Sequence, residues 1–297
     1  MSRGSPETLL FLFAASVALA ATGARVGITD GPALIALVAA VALIGLPHGG
    51  LDGWLAQRSG VVRDARGFAL FHVLYVLAAG TVALLWLWLP TLTLMGFLLI
   101  SAWHFAGDWP GLSPLLRTAT GLALLSLPAW FWAEPVASIF SVLAGDGGLQ
   151  LAQALTALGP LFALMLGLAL LRLRRTPRAM IELGVLSLLA LFTPPLLFFA
   201  VYFCTLHSPR QLRLSLALAE PARRPSLIAL AALYAVLAAL LVLAAGFATG
   251  QAGDSAQAWL AQLDADQGLR LVFIGLAALT VPHMGVAWLA ARRSQEK

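Results

Sequence analysis

The sequence predicts an all-α protein, a multi-pass integral membrane bundle of about eight to ten transmembrane or re-entrant helices. Hydrophobic residues fill 61% of its 297 positions and charged residues only 10%. Apolar runs recur along the chain, and no polar stretch between them is long enough for a soluble domain. In lipid only helices and closed barrels satisfy the backbone, and these runs lack the alternation of barrel strands. We therefore predict a single integral membrane domain over residues 1–297.

Nine apolar runs define the expected helices. A helix crosses the bilayer with roughly 17–25 residues, and the shorter runs leave their boundaries loose by a few residues. The first run follows Arg3 and ends near Ala18-Leu19-Ala20, as a signal peptide would, but with so many later spans we expect a retained helix. The runs are Leu9–Ala21, Ala33–Leu46, Phe68–Leu89, Thr91–Phe105, Leu115–Trp132, Leu151–Leu173, Ile181–Cys204, Leu227–Phe247 and Leu269–Ala291.

The arginines predict the orientation, because loops on the cytoplasmic side carry an excess of Lys and Arg. The formal charge of +5 therefore indicates topology and no nucleic-acid partner. A single crossing at Ile181–Cys204 would put two arginine loops on opposite sides, so we expect Pro194-Pro195 to break it into two short or re-entrant helices. Both termini are then cytoplasmic and the protein lies in the inner (plasma) membrane. The basic clusters are Arg58, Arg63, Arg66; Arg172, Arg174, Arg175, Arg178; Arg210, Arg213, Arg223, Arg224; and Arg292, Arg293, Lys297, and the outer acidic loops hold Glu134, Asp146, Asp254, Asp264 and Asp266.

Five histidines are the most informative polar residues. His48, His104, His207 and His283 lie at or inside the end of an apolar run, and His72 lies just inside another. An ionisable side chain in a membrane is costly and usually faces a partner, a cavity or a metal. The expected topology brings all five to the cytoplasmic half of the membrane. This pattern predicts a metal site inside the helical bundle.

Aspartates follow two of these histidines at a spacing of four. Asp52 follows His48, Asp108 follows His104, and Gln211 follows His207. Positions four apart lie on one face of a helix, so these residues could hold the second edge of the imidazole or reach a metal. Neutral imidazoles suit zinc, copper, iron and nickel.

Other interpretations of the same residues stay open. A histidine at the end of a span can be interfacial, and Asp52 and Asp108 can be loop residues or helix caps. His72 lacks a Gly or Pro context and fits a packing or supporting role, and Cys204 fits the core. An aromatic cluster beside the histidines fits packing, or an apolar tunnel for a rigid lipid-soluble substrate: Phe71, Tyr75, Trp103, Phe105, Trp109, Phe198, Phe199, Tyr202 and Phe203.

Four motifs resemble the Brp/Blh family, the membrane β-carotene 15,15′-dioxygenases that supply retinal to microbial rhodopsins. They span most of the chain in the family's order, and the first is the most specific. They are Gly45-Leu46-Pro47-His48-Gly49-Gly50-Leu51-Asp52; His104-Phe105 with Asp108; Tyr202-Phe203 followed by His207-Ser208-Pro209-Arg210; and Pro282-His283-Met284.

The resemblance implies a multi-helix enzyme that splits the central double bond of β-carotene, or a related carotenoid, with dioxygen to give retinal. Its cofactor would be Fe(II), held by His48, His104 and His207 with His283 as the fourth ligand. Asp52 and Asp108 are the expected catalytic residues, holding the ligating imidazoles in place. The implied partners are a lipid-soluble carotenoid, dioxygen and membrane lipid, with a functional link to a microbial rhodopsin.

Two departures from the family pattern concern the ligands. The family usually carries a second histidine where this chain has Gln211, and a histidine directly after the aspartate that matches Asp52, where Gly53 stands here. Gln211 could bind through its amide oxygen, or His283 could complete the set.

Three other functions compete with this interpretation. Intramembrane His and Asp residues and Pro-broken helices also serve transporters and proton or metal-ion pathways. The histidines lie toward one face, however, and the two halves of the chain show no repeat. A b-type haem protein and a non-catalytic partner of a rhodopsin are the remaining alternatives.

Overall fold

A computed structural model describes residues 5–24, 39–173, 176–249 and 265–295, and this part of the chain is all-helical. Five of its helices are long and apolar enough to cross a membrane, which confirms the predicted fold class and makes the chain a membrane protein. Residues 33–38 of one predicted run lie outside the described residues, as do Arg3, Arg174, Arg175, Asp254, Asp264 and Lys297. The candidate spans are Pro6–Gly23, Ala65–Trp88, Ala133–Arg172, Pro221–Leu241 and Asp266–Ala290.

The α-helices follow the apolar runs closely, and four short non-α turns lie between them in the described residues. The turns are a π-helical turn at Val41–Gly45, a 3₁₀ turn at Leu46–Leu51, a π-helical turn at Phe203–His207 and a 3₁₀ turn at Pro221–Arg223. The helices are α1 (Pro6–Gly23), α2 (Asp52–Arg58), α3 (Ala65–Trp88), α4 (Pro90–Ala106), α5 (Pro114–Phe131), α6 (Ala133–Arg172), α7 (Pro177–Phe192), α8 (Pro195–Tyr202), α9 (Ser208–Ala217), α10 (Arg224–Thr249) and α11 (Ala265–Gln295).

Proline sets the beginning of many of these helices. A proline at the first helical position sacrifices no internal hydrogen bond and already has a helical φ angle. Helices α1, α4, α5, α7 and α8 each begin with one. Helix α3 instead begins after Asp64, whose carboxylate accepts a hydrogen bond from the Gly67 amide at 2.7 Å.

The chain divides into two compact units. The first unit comprises Met1–Val41 and Pro90–Arg210. In it α5 packs against α4 and α6, and α1 packs against α7. Gly121 of α5 lies against the Ala102 carbonyl of α4, where a Cβ atom would overlap it, so the missing side chain permits this close approach.

The second unit comprises Ala42–Leu89 and Gln211–Lys297. In it α11 packs on α2 and α3, and α10 packs on the turn Leu46–Leu51. A Cβ atom on Gly50 would come within 2.6 Å of the Ala231 carbonyl oxygen, so glycine is required where this turn meets α10. A cluster of buried side chains around Leu51 and Ala231 secures the contact.

The predicted break at Pro194-Pro195 is present, because α7 ends at Phe192 and α8 begins at Pro195. Arg178 at the beginning of α7 and Arg210 at the beginning of α9 both bind Glu182. The beginnings of α7 and α9 therefore lie at the same end of the first unit. Glu134 and Asp146, expected in an outer loop, lie within Ala133–Arg172. The backbone leaves the helical conformation at Ala144 and Gly145, so two helical segments of α6 meet at a kink just before Asp146.

Candidate metal centre

His207 ends a π-helical turn in the first unit and is completely buried. Such turns add one residue to a helical turn and recur at functional sites, because they redirect a side chain. Phe203 stacks on the His207 ring at 5.7 Å between centroids, and Phe105 meets its face at 4.9 Å. Aromatic carbon therefore surrounds the imidazole and keeps water from it.

Hydrogen bonds fix the tautomer of His207. Its Nδ1 donates to Asp108 Oδ2 at 3.0 Å, and the Tyr202 hydroxyl donates to the same oxygen at 2.8 Å. The neutral ring then presents an unprotonated Nε2, which lies 2.9 Å from the Nε2 of His104. Two imidazole nitrogens bound at a right angle to one metal ion would lie about 3 Å apart, so this pair fits a shared metal.

Asp108 lies beyond the end of α4 and is buried, with a formal charge that requires compensation. Burial alone raises the pKa of its carboxyl, but the His207 imidazole, the Arg210 guanidinium and the Tyr202 hydroxyl outweigh burial and hold the pKa below its ordinary value. Asp108 is therefore an acceptor that stays ionised and keeps the proton of His207 on Nδ1.

His48 lies in the 3₁₀ turn of the second unit and is buried. Its Nδ1 donates to the Gly45 carbonyl at 2.6 Å, which leaves Nε2 as the nitrogen with a lone pair. Gly45 ends the π-helical turn and His48 lies in the 3₁₀ turn that follows, so two non-α turns position this contact.

Asp52 supports His283 in the same unit. The Nδ1 of His283 donates to both Asp52 carboxylate oxygens, at 2.8 and 3.0 Å, and the Tyr75 hydroxyl donates to Oδ2 at 2.9 Å. The His283 ring meets the His48 ring edge to face, 5.1 Å between centroids. His48 and His283 therefore lie side by side, each with a defined tautomer.

Asp108 and Asp52 hydrogen-bond to histidines distant in sequence, His207 and His283. Neither aspartate continues one α-helix with the histidine four residues before it. Helix α4 ends at Ala106, so Asp108 is no longer on its face. His48 lies in a turn of three residues per repeat, which moves Asp52 away from its side.

His72 has both ring nitrogens occupied. Its Nδ1 donates to the Phe68 carbonyl at 2.9 Å, so Nε2 accepts the Tyr234 hydroxyl at 2.8 Å. This agrees with the packing or supporting role expected for it. Cys204 is buried, and no histidine contact is recorded for it within the described residues.

His104 and His207 of the first unit and His48 of the second unit are buried or half-buried, and each offers one ring nitrogen that could bind a metal ion. Three neutral imidazoles form a donor set suited to a divalent transition metal.

The family model described as Beta-carotene 15,15'-dioxygenase matches residues 39–290. The chain belongs to this family. It is 30% identical over 259 residues to the Beta-carotene 15,15'-dioxygenase of uncultured marine bacterium 66A03, an alignment that covers 83% of this chain and 90% of that protein. No solved structure matches. The family confirms the predicted resemblance, the enzyme class and the cleavage of β-carotene to retinal.

Three supporting residues that the spacing of four did not identify were still recognisable in the sequence. Tyr75 and Tyr202 stood in the aromatic cluster, but their hydroxyls are what matters, since each donates to an aspartate. Glu182 was a carboxylate inside an apolar run, which is as notable as an intramembrane histidine, and it is buried with two arginines.

Proposed function

We propose that His48, His104 and His207 hold iron(II), that His283 is the fourth ligand, and that this centre cleaves the 15,15′ double bond of β-carotene. The observation that carries the proposal is the His207 ring, held by Asp108 on one edge and 2.9 Å from His104 on the other. Membership of the family supports the reaction, and the set of imidazole donors supports a bound metal ion.

Iron(II) accepts neutral imidazole donors and, when bound, would supply the redox chemistry that activates dioxygen. The reaction balances without a further reductant. One carbon–carbon double bond breaks, and each of the two aldehyde products takes one oxygen atom from the same dioxygen molecule. Three or four histidines without a carboxylate ligand leave room at the metal for the substrates.

The chain's own residues position the donors and exclude water. Asp108 and Asp52 keep the Nδ1 protons of His207 and His283 in place, so Nε2 is the nitrogen with which each ring would bind the metal. Phe105 and Phe203 cover the His207 ring and provide an apolar surface beside the metal that suits a polyene. A dry surrounding also prevents water from competing with dioxygen.

The direct test is expression in bacteria that accumulate β-carotene, with pigment extraction and iron analysis of the purified chain. The wild type should bleach the cells, form retinal and retain iron. His104→Ala and His207→Ala should remove a ligand and abolish both iron retention and turnover. Normal iron and activity in His104→Ala would overturn the ligand assignment, and a Soret band would indicate haem instead.

We also propose that the chain lies in the inner membrane with both termini and the residues 210–224 in the cytoplasm. The carotenoid then enters from the lipid, and the retinal produced is available to a microbial rhodopsin. Cysteine placed at Arg213 should resist impermeant thiol reagents in intact cells and react after lysis. Labelling from outside would contradict this orientation.

A further inference from the structure

A largely buried ion cluster lies beside the Asp108 segment and contains none of the proposed metal ligands. It consists of Glu7 of α1, Arg178 and Glu182 of α7, and Arg210 of α9. Glu7, Glu182 and Arg210 are 2%, 1% and 4% exposed, whereas the side chain of Arg178 is 41% exposed. Two carboxylates and two guanidiniums leave the cluster without net charge, which makes its burial tolerable.

Glu182 is the centre of the cluster. Its Oε1 accepts Arg210 at 2.6 Å, Arg178 at 3.0 Å and the Thr8 hydroxyl at 2.6 Å. Its Oε2 accepts the indole N–H of Trp109 at 3.3 Å. A carboxylate with four donors is held in one place, and so are the groups that donate to it.

Two hydrogen bonds connect this cluster to the segment that carries Asp108. Arg210 donates from one nitrogen to the Asp108 carbonyl at 3.3 Å and from the other to Glu182. Trp109, the next residue, donates to Glu182. Asp108 lies in the turn beyond α4, outside any helix, so these side chains take the place of a helical ladder in fixing it.

Helix α1 completes the cluster through its first turn. Glu7 accepts Arg178 at 2.8 Å and lies 3.9 Å from the Nε of Arg210, while Thr8 donates to Glu182. Residues 6–23 precede the region 39–290 that the family model matches. Cleavage of α1 as a signal peptide would remove both residues and leave Arg178 and Arg210 to share one carboxylate.

We propose that Glu182 and Arg210 are positioning residues for the metal centre, and that α1 is retained because Glu7 and Thr8 complete their cluster. The cluster fixes the backbone at Asp108 and Trp109, the Asp108 carboxylate then fixes the His207 ring, and the ring holds the metal. The proposal rests on the proposed role of His207 as a ligand.

The test uses two conservative variants of the full chain. Arg210→Lys keeps the charge but has all its donors on one nitrogen, so it should not reproduce the two bonds that separate guanidinium nitrogens make to the Asp108 carbonyl and to Glu182. Thr8→Val keeps the shape of the side chain and removes one donor to Glu182. Arg213→Lys is the matched control, since Arg213 is exposed on the same helix.

The readouts are iron dissociation into a chelator, the visible spectrum of the cobalt(II)-substituted protein, and elution in detergent as a measure of folding. Arg210→Lys should release iron about tenfold or more faster than wild type, with an altered cobalt spectrum and unchanged elution. Thr8→Val should shift both readouts in the same direction by less, and Arg213→Lys should match wild type.

Three outcomes overturn the inference. If Arg210→Lys and Thr8→Val both elute, bind cobalt and release iron as wild type does, the cluster does not position the metal centre. Should Arg210→Lys not fold, wild-type behaviour of Thr8→Val alone refutes the link through Glu182. If the intact mass of the purified protein corresponds to a chain that begins after Ala20, α1 has been cleaved and its proposed role is refuted. Wild-type protein that retains no iron would instead refute the proposed function.

Discussion

The first and second units contain the same hydrogen-bonded trio in different surroundings. In the first, Asp108 accepts His207 and Tyr202; in the second, Asp52 accepts His283 and Tyr75. Each aspartate thus fixes a tautomer and is itself fixed by a tyrosine. An aspartate can therefore hold an imidazole in place without lying on the same helix or at a fixed spacing along the sequence.

The two trios differ in solvent exposure. The side chains of His207 and Asp108 are both 0% exposed, whereas those of His283 and Asp52 are 14% and 4% exposed. Arg210 also lies beside Asp108 and favours its charged form. Water can replace part of a lost hydrogen bond at His283 but none at His207. The Asp108 trio is therefore the less replaceable support.

Asp108→Asn should have the largest effect among the supporting residues. The amide no longer holds the Nδ1 proton by charge, so His207 can change tautomer or rotate, and iron retention and turnover should each fall by about 10–100-fold. Iron per chain and retinal formed in β-carotene-producing cells measure both. Asp146→Asn, an exposed aspartate of α6, is the control. Wild-type iron content in Asp108→Asn would end the distinction between the trios.

Asp52→Asn should act in the same direction and more weakly, by about tenfold or less, because His283 is partly exposed and is the fourth ligand. The same two measurements apply, made beside Asp108→Asn in one preparation. A loss as large as that of Asp108→Asn would mean that the two trios support the metal equally.

Hydropathy and proline positions were sufficient to predict the long apolar helices, because lipid permits few alternatives for a run such as Phe68–Leu89. They did not predict the short helices α2 and α9. The break before Pro195 was also predictable, since it followed from charge on both sides of one run. The partners of Asp52 and Asp108 were not. They depend on non-α turns, such as Phe203–His207, and on residues brought together only by tertiary packing. Local spacing carries no information about either.

Gln211→His tests the trio of Asp52, His283 and Tyr75 by adding a histidine that could replace His283 as a metal ligand. Position 211 lies one helical turn after His207, so a histidine there can face the same metal without a change in the backbone. His283→Ala should lower iron retention, and His283→Ala/Gln211→His should recover part of it. Turnover should recover too if room for dioxygen remains. Full iron and activity in His283→Ala alone would remove His283 from the ligand set.

His72→Phe should have the smallest effect, and it separates a histidine with two occupied nitrogens from those that present one to a metal. Phenylalanine preserves the stacking on Tyr234, at 5.8 Å between centroids, but removes the hydrogen bond to its hydroxyl. Hydrogen bonds between membrane helices contribute about 0.6 kcal/mol on average, so melting in detergent should shift slightly while iron per chain stays at the wild-type value. Tyr234→Phe is the matched variant, since it removes the same bond from the other side and should shift melting equally. Loss of iron in His72→Phe but not in Tyr234→Phe would place His72 among the ligands. A hydrogen bond at Nε2 would then be no ground for excluding a histidine from the ligand set.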